Sequence, residues 1–279
     1  MRPGDRAVEV DGARVCYHRT GTGPTLVLIH GASGNLGDWL FQHVDMLTRD
    51  WDVIAFDRPG LGYSERLRDM TDPRAQAAHL DAALARLGVD RAVIAGHSYG
   101  GSVALAWAVT RPERVAGLAL FAAPSHEWQG SAGTLYTIAD APVIGPAVAW
   151  AYPRLAGPRL VRDGLRAVFA PDPMPEGYAE VMRPELALRY ATVRANVADI
   201  NRLKPHLVEM TPAYPDLAMP MEILHGTADT IVPIEIHSEH LAAAVPHARF
   251  TRLDGTGHMP HHSRMDAAMA AFARLREQA

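Results

Sequence analysis

The sequence predicts a doubly wound α/β core: a mostly parallel sheet with helices on both faces, carrying an inserted, mainly helical cap. Three observations lead there. Short, almost wholly apolar runs bounded by Gly, Pro or Asp recur in the first half of the chain and again near its end. Strands of a parallel sheet covered on both faces read that way, with no polar alternation. Helical stretches separate those runs, and strand–helix alternation builds such a sheet. Between Pro124 and Pro220 the alternation stops, and 13 of the chain's 21 prolines gather there.

The elements follow in order. The alternating run Ala13-Arg14-Val15-Cys16-Tyr17-His18 is an early strand. Thr25 to His30, Asp52 to Phe56, Ala92 to Gly96 and Val115 to Phe121 read as buried strands. Asp72-Pro73 combines an N-cap with proline at the first helical position, opening a helix that runs to about Leu87. Gly88 stops it. A second helix runs from Tyr99 to Val109 and ends before Arg111-Pro112. Within the proline-rich region one helix stands out, Pro184 to Leu203, with Leu186, Tyr190, Val193, Val197, Ile200 and Leu203 on one face. The core resumes with Met221 to His225 as a strand, Ile234 to Val245 as a helix, Arg249 to Leu253 as a last strand and Ala267 to Arg276 as a closing helix. The expected division is a core of residues 1–123 and 216–279 with a cap of residues 124–215.

Composition narrows the function. In 279 residues, 48% are hydrophobic, enough for a large core without disulfides or metals. The single cysteine, Cys16, permits no internal disulfide and reads as a buried structural thiol. A net charge of −4 offers no basic footprint for nucleic acid. The first residues lack the apolar core of a secretory signal, and no uninterrupted apolar stretch of about 18 residues exists. The expectation is a soluble, cytoplasmic protein without a membrane span, acting on a small molecule as a monomer or homodimer.

The chemistry concentrates in loops that follow strands. Gly96-His97-Ser98-Tyr99-Gly100 lies between a strand and a helix. So abrupt a turn strains the apex residue and crowds the positions two before and two after it, which calls for glycine at both. The Ser98 hydroxyl is thereby presented beside the unpaired N–H groups of the helix. His30-Gly31-Ala32-Ser33-Gly34 follows an earlier strand, and the backbone N–H groups of Ala32 and Tyr99 are natural donors for an oxyanion. A neutral serine also needs a base, and the base needs a carboxylate. Asp229, after a late strand, and His258, after the last, supply them. In an open parallel sheet these loops share one carboxyl edge.

These motifs resemble the α/β-hydrolase superfamily over nearly the whole chain. His30-Gly31, then Asp57-Arg58-Pro59-Gly60-Leu61-Gly62-Tyr63-Ser64, then the turn at Ser98, then Asp229 and His258 stand in the family's order. The resemblance implies an eight-stranded, mostly parallel sheet under a cap. It implies Ser98 as nucleophile, Asp229 as acid, His258 as base, Ala32 and Tyr99 as oxyanion hole, and a structural role for the Asp57 loop. Glu127 is the alternative acid, because some relatives place it after the preceding core strand. Haloalkane dehalogenases and epoxide hydrolases of the superfamily use Asp where Ser98 stands. The expected activity is hydrolysis of small carboxylic esters with an apolar acyl or alcohol group. Carbon–carbon bond hydrolysis, thioester hydrolysis, cofactor-free haloperoxidase chemistry, proline-releasing peptidase activity and a non-catalytic ligand-binding role stay open on the same residues.

No cofactor or metal is expected. No G-x-G-x-x-G opens a helix after a strand, and the clustered His258, His261 and His262 and the pair His237 and His240 read as solvated or structural. In the cap, residues Trp128 to Ala139 and Ala141 to Pro153 carry no charge. An apolar lid is the reading, with Trp128, Tyr136, Trp150 and Tyr152 as candidates to line an acyl pocket. Pro142, Pro146, Pro153 and Pro158 exclude a membrane hairpin there.

Overall fold

The computed structural model describes every residue except Pro3, Ala132, Ala156 and Ala279, with the backbone alone at Thr134, Leu135, Pro153 and Pro158. Eight strands form one sheet: β1 (Asp5–Val10), β2 (Ala13–Gly21), β3 (Thr25–Ile29), β4 (Asp52–Phe56), β5 (Ala92–His97), β6 (Val115–Phe121), β7 (Met221–Gly226) and β8 (Arg249–Leu253). Their order is β1-β2-β4-β3-β5-β6-β7-β8. β1 and β2 pair antiparallel with their neighbours, and β4, β3 and β5 to β8 run parallel.

The apolar runs are continuous because both faces of the sheet are covered. Val27, Ile29, Ile54 and Phe56 pack with Leu80, Trp107 and the helices Pro73–Arg86 and Tyr99–Thr110. Their neighbours Leu26, Leu28, Val53 and Ala55 point to the other face, against Trp39 and the helix Met265–Arg276. Asp72 caps the first of these helices, its carboxylate accepting from Arg74 N, and Gly88 follows it with φ +76°.

Some elements differ from expectation. β1 was missed: its sequence, DRAVEV, is polar because it is an edge strand with exposed positions. The helix expected at Ile234 begins only at Ser238, because residues 234–237 fold into a turn closed on Pro233 O. The cap holds more helix than the one expected, adding Thr134–Asp140, Gly145–Leu155 and Pro158–Phe169. The helix expected at Pro184–Leu203 spans Tyr190–Met210, after a short 3-10 turn at Pro184–Leu186. Among the described residues no helix is long and apolar enough to cross a membrane.

All these cap helices lie between β6 and β7, over the carboxyl edge of the sheet. At that edge β3 sits between β4 and β5, so the chain leaves β3 to one side and returns on the other. A crevice opens at such a switch point. Ile29 pairs with Gly96 in register there, which brings the loop after β3 beside the turn after β5.

Candidate active site

Ser98 occupies the apex between β5 and the helix Tyr99–Thr110 with φ 50° and ψ −124°, a conformation that costs an L-residue on the order of 1–3 kcal/mol. The flanking glycines have no substitute. A Cβ on Gly96 would lie 2.2 Å from Gly100 O, and one on Gly100 would lie 2.3 Å from Ile29 O. The Ser98 N–H donates to Phe121 O at 2.8 Å, which ties the turn to the end of β6.

Three loops converge on this hydroxyl. His258 Nε2 lies 3.0 Å from Ser98 Oγ. Its Nδ1 lies 2.7 Å from Asp229 Oδ2, and since a carboxylate cannot donate, Nδ1 carries the proton. Nε2 is then the free acceptor that faces the serine. Asp229 is itself oriented: Oδ1 accepts from Ile231 N at 2.8 Å and Val232 N at 2.9 Å. Oδ2 also accepts from His225 Nε2 at 3.1 Å. Burial alone would raise the Asp229 carboxyl, but the hydrogen bonds from His225 and His258 hold it below the usual carboxylate range. Glu127 is exposed and stands apart, with His258 Nδ1 already taken by Asp229.

The N–H groups of Ala32 and Tyr99 have no hydrogen-bond partner among the described residues. Both residues line the cavity that contains Ser98 and His258. An anionic oxygen beside Ser98 would meet donors that need not first break other bonds. The neighbouring Ser33 N–H, by contrast, is taken by Asn196 Oδ1 at 2.6 Å.

The cavity measures about 690 Å³ and is lined by residues of both the sheet-edge loops and the cap. Trp128, Tyr136 and Tyr152 line it, with Val148, Leu165, Val168 and Val193. Trp150 does not: it is 57% exposed, and its ring faces the Arg154 guanidinium. The uncharged stretch that pointed to a lid includes Ala132, outside the described residues.

The histidines near the site are buried rather than solvated, and sequence reasoning missed the carboxylate that organises them. Asp38 Oδ1 accepts from Tyr178 OH and His262 Nε2, both at 2.8 Å, and Oδ2 from His261 Nε2 at 3.3 Å. Burial alone would raise the Asp38 carboxyl, but His261 and His262 hold it well below the usual range. His97 Nδ1 stands 3.9 Å from Asp38, while its Nε2–H donates to His258 O at 2.8 Å and holds the backbone of His258. Asp38, His97 and His261 are close enough to suggest metal ligands. The His97 and His261 rings, however, stack with centroids 4.3 Å apart at 35°. Lone pairs lie in the ring planes, so rings stacked this way aim them side by side and not at one ion. Hydrogen bonds to Asp38 join the cluster, while the Nδ1 atoms of His261 and His262 are buried without a partner.

The fold and the placement of these loops define the class. The chain belongs to the α/β hydrolase family, whose sequence profile matches residues 26–272. A 2-hydroxymuconate semialdehyde hydrolase of Pseudomonas putida is 31% identical over 289 residues, covering 98% of this chain and 92% of that protein. An esterase from Rhodococcus sp. ECU1013 has a TM-score of 0.75 at 26% identity, covering 99% of this chain and all (100%) of that one. The enol-lactonase of Burkholderia xenovorans LB400, at 22% identity and a TM-score of 0.78, covers 97% of this chain and 99% of that one and shares the fold.

Proposed function

We propose that the protein is a serine hydrolase that cleaves small carboxylic esters with an apolar acyl or alcohol group, through an acyl-enzyme on Ser98. One observation carries the reading: His258 lies 3.0 Å from Ser98 Oγ on one side and 2.7 Å from Asp229 on the other. In the first step His258 Nε2 takes the Ser98 proton as Oγ attacks the ester carbonyl. The Ala32 and Tyr99 N–H groups hold the resulting oxyanion, and His258 returns the proton to the leaving alcohol. Water, activated by the same imidazole, then releases the acid. Every proton moves through His258, and the proposed cycle calls on no cofactor. Residues 124–215 act as the cap and residues 1–123 and 216–279 as the core that carries the reacting groups.

The lining supports an apolar substrate. Histidines aside, Asp38 is the one ionisable acid or base that lines the cavity apart from its tyrosines, and no Arg or Lys does so among the described residues. A substrate carboxylate would find no Arg or Lys among the described residues of the lining and would stand in the same cavity as the Asp38 carboxylate. This weighs against the second reading, carbon–carbon bond hydrolysis, which the Pseudomonas putida relative favours. A p-nitrophenyl ester series and a fluorophosphonate probe test the proposal. Turnover of acetyl to octanoyl esters is expected, with labelling abolished in Ser98→Ala. Labelling that persists in Ser98→Ala, or preference for a carboxylate-bearing diketone over every ester, would overturn it.

A further inference from the structure

Arg58 and Asp199 form an ion pair whose two side chains are both fully buried (0% exposed). Such a pair is weak evidence for stability, because apolar residues of similar size usually serve as well. Its geometry suggests another use. Arg58 Nη2 donates to Asp199 Oδ2 at 2.7 Å and Nε to Gln76 Oε1 at 3.0 Å. The remaining arm, Nη1, donates to the carbonyl oxygen of Gly31 at 3.3 Å. That oxygen also accepts from His30 Nδ1 at 2.8 Å, the proton being fixed on Nδ1 because the Arg58 N–H occupies Nε2.

Gly31 C=O and Ala32 N–H belong to one peptide. In a trans peptide the two groups point in opposite directions. Gly34 N donates to the same oxygen at 3.3 Å, so three donors hold the Gly31 carbonyl, Arg58 being the one tied to the helix, and they aim the Ala32 N–H the other way, toward the cavity where Ser98 lies. The guanidinium also sits 3.9 Å from the centre of the Tyr99 ring, against the residue that carries the second donor. One turn before Asp199 on the helix Tyr190–Met210, Asn196 accepts from Ser33 N at 2.6 Å and donates to Ser33 Oγ at 2.9 Å. A single helix thus reaches the residues on both sides of Ala32.

We infer that helix 190–210 is the positioning element of the oxyanion hole, setting the direction of the Ala32 N–H through Asp199, Arg58 and the Gly31 carbonyl. Neither Arg58 nor Asp199 lines the cavity, so both are positioning residues. The inference rests on the ester-hydrolase reading above.

The test removes the ion pair without leaving a lone buried charge. Arg58→Met with Asp199→Leu keeps the volume apolar, and Arg66, 20% exposed, loses its Asp199 contact to solvent. Folding is checked by melting temperature. For this double variant kcat is expected to fall about 100-fold with KM almost unchanged, since an oxyanion donor acts on the transition state and not on substrate binding. Affinity for a trifluoromethyl ketone, which forms an anionic adduct with the serine, falls by the same factor. Arg58→Lys retains charge but not the fork, and falls between wild type and the double variant. A folded double variant whose kcat stays within about twofold of wild type sinks the positioning role while leaving the hydrolase reading intact. A KM that rises in step with the loss of kcat sinks it equally. Turnover that survives Ser98→Ala removes the hydrolase reading, and the inference with it.

Discussion

The two oxygens of Asp229 have different partners, and that division makes the effect of Asp229→Asn predictable. Oδ1 accepts two backbone N–H groups, from Ile231 and Val232. In the variant those donors require the amide oxygen at the same place, so the NH₂ must face His258 Nδ1 and His225 Nε2. His258 then holds its proton on Nε2, where it cannot accept one from Ser98. Turnover should fall by about 10⁴ with KM little changed, read by steady-state kinetics. A loss below about tenfold would mean that His258 takes its orientation from elsewhere. At Ser98 itself the backbone and the hydroxyl make opposite demands. Ser98→Gly removes the hydroxyl but accepts φ 50° without strain, whereas Ser98→Ala keeps the strain. Both should be inactive, and the glycine variant should be the more stable by roughly 1 kcal/mol in urea unfolding. Equal stability would place the strain outside the Ser98 backbone.

Strands β3 to β8 were legible to within a residue or so because a strand buried on both faces writes itself as an uninterrupted apolar run. The same holds for the helix after Asp72, where a cap, a proline and a terminal glycine coincide. The cap was less legible. Its helix Pro158–Phe169 turns Leu165 and Val168 toward the cavity and Arg159, Arg162 and Arg166 toward solvent. Its sequence carries a clear amphipathic pattern, Leu160, Val161, Leu165 and Val168 against Arg159, Arg162, Asp163 and Arg166, which the prolines and charges around it obscured. The convergence of Ser98, Asp229 and His258 was legible because each follows a strand in a short Gly-bearing loop. Asp38, Asn196 and Asp199 were not. They are buried polar residues satisfied by partners more than 100 positions away, and the nearest local hint is two polar side chains set into the apolar stripe around Val193, Val197 and Ile200. The cap's part in selectivity has its own test. Val168→Trp fills cavity volume without touching the reacting groups, and the octanoyl-to-butyryl ratio of kcat/KM should drop about tenfold. An unchanged ratio would place the acyl chain in another part of the cavity.

The whole molecule carries an unusual load of neutral histidine. Burial pushes His30, His43, His97 and His237 each down to about 3, against an ordinary value near 6.5. A folded-state value below the unfolded one means that, between those two pH values, the unfolded chain binds the proton and the native chain does not. Stability is therefore full above about pH 6.5 and is lost as pH falls below it, by about 1.4 kcal/mol per pH unit for each histidine. Asp57 runs the other way. Burial raises its carboxyl to about 6, so the native chain holds the extra proton between roughly 4 and 6 and gains stability as pH falls through that window. His261 is lowered as well and His126 to about 4, so the lowered histidines outnumber the one raised carboxyl and the net effect is a loss of stability as pH falls. Asp38 and Asp229, both held below the usual range, lose their contributions only at lower pH still. Acid should therefore destabilise the protein: the buried histidines drive cooperative unfolding, visible in the fluorescence of the buried Trp39, Trp51 and Trp107. Urea midpoints taken each half pH unit from 7 down to about 4.5 should fall steeply below 6.5. A midpoint that stays flat down to pH 5 would mean that these four rings are already solvated or charged in the native chain.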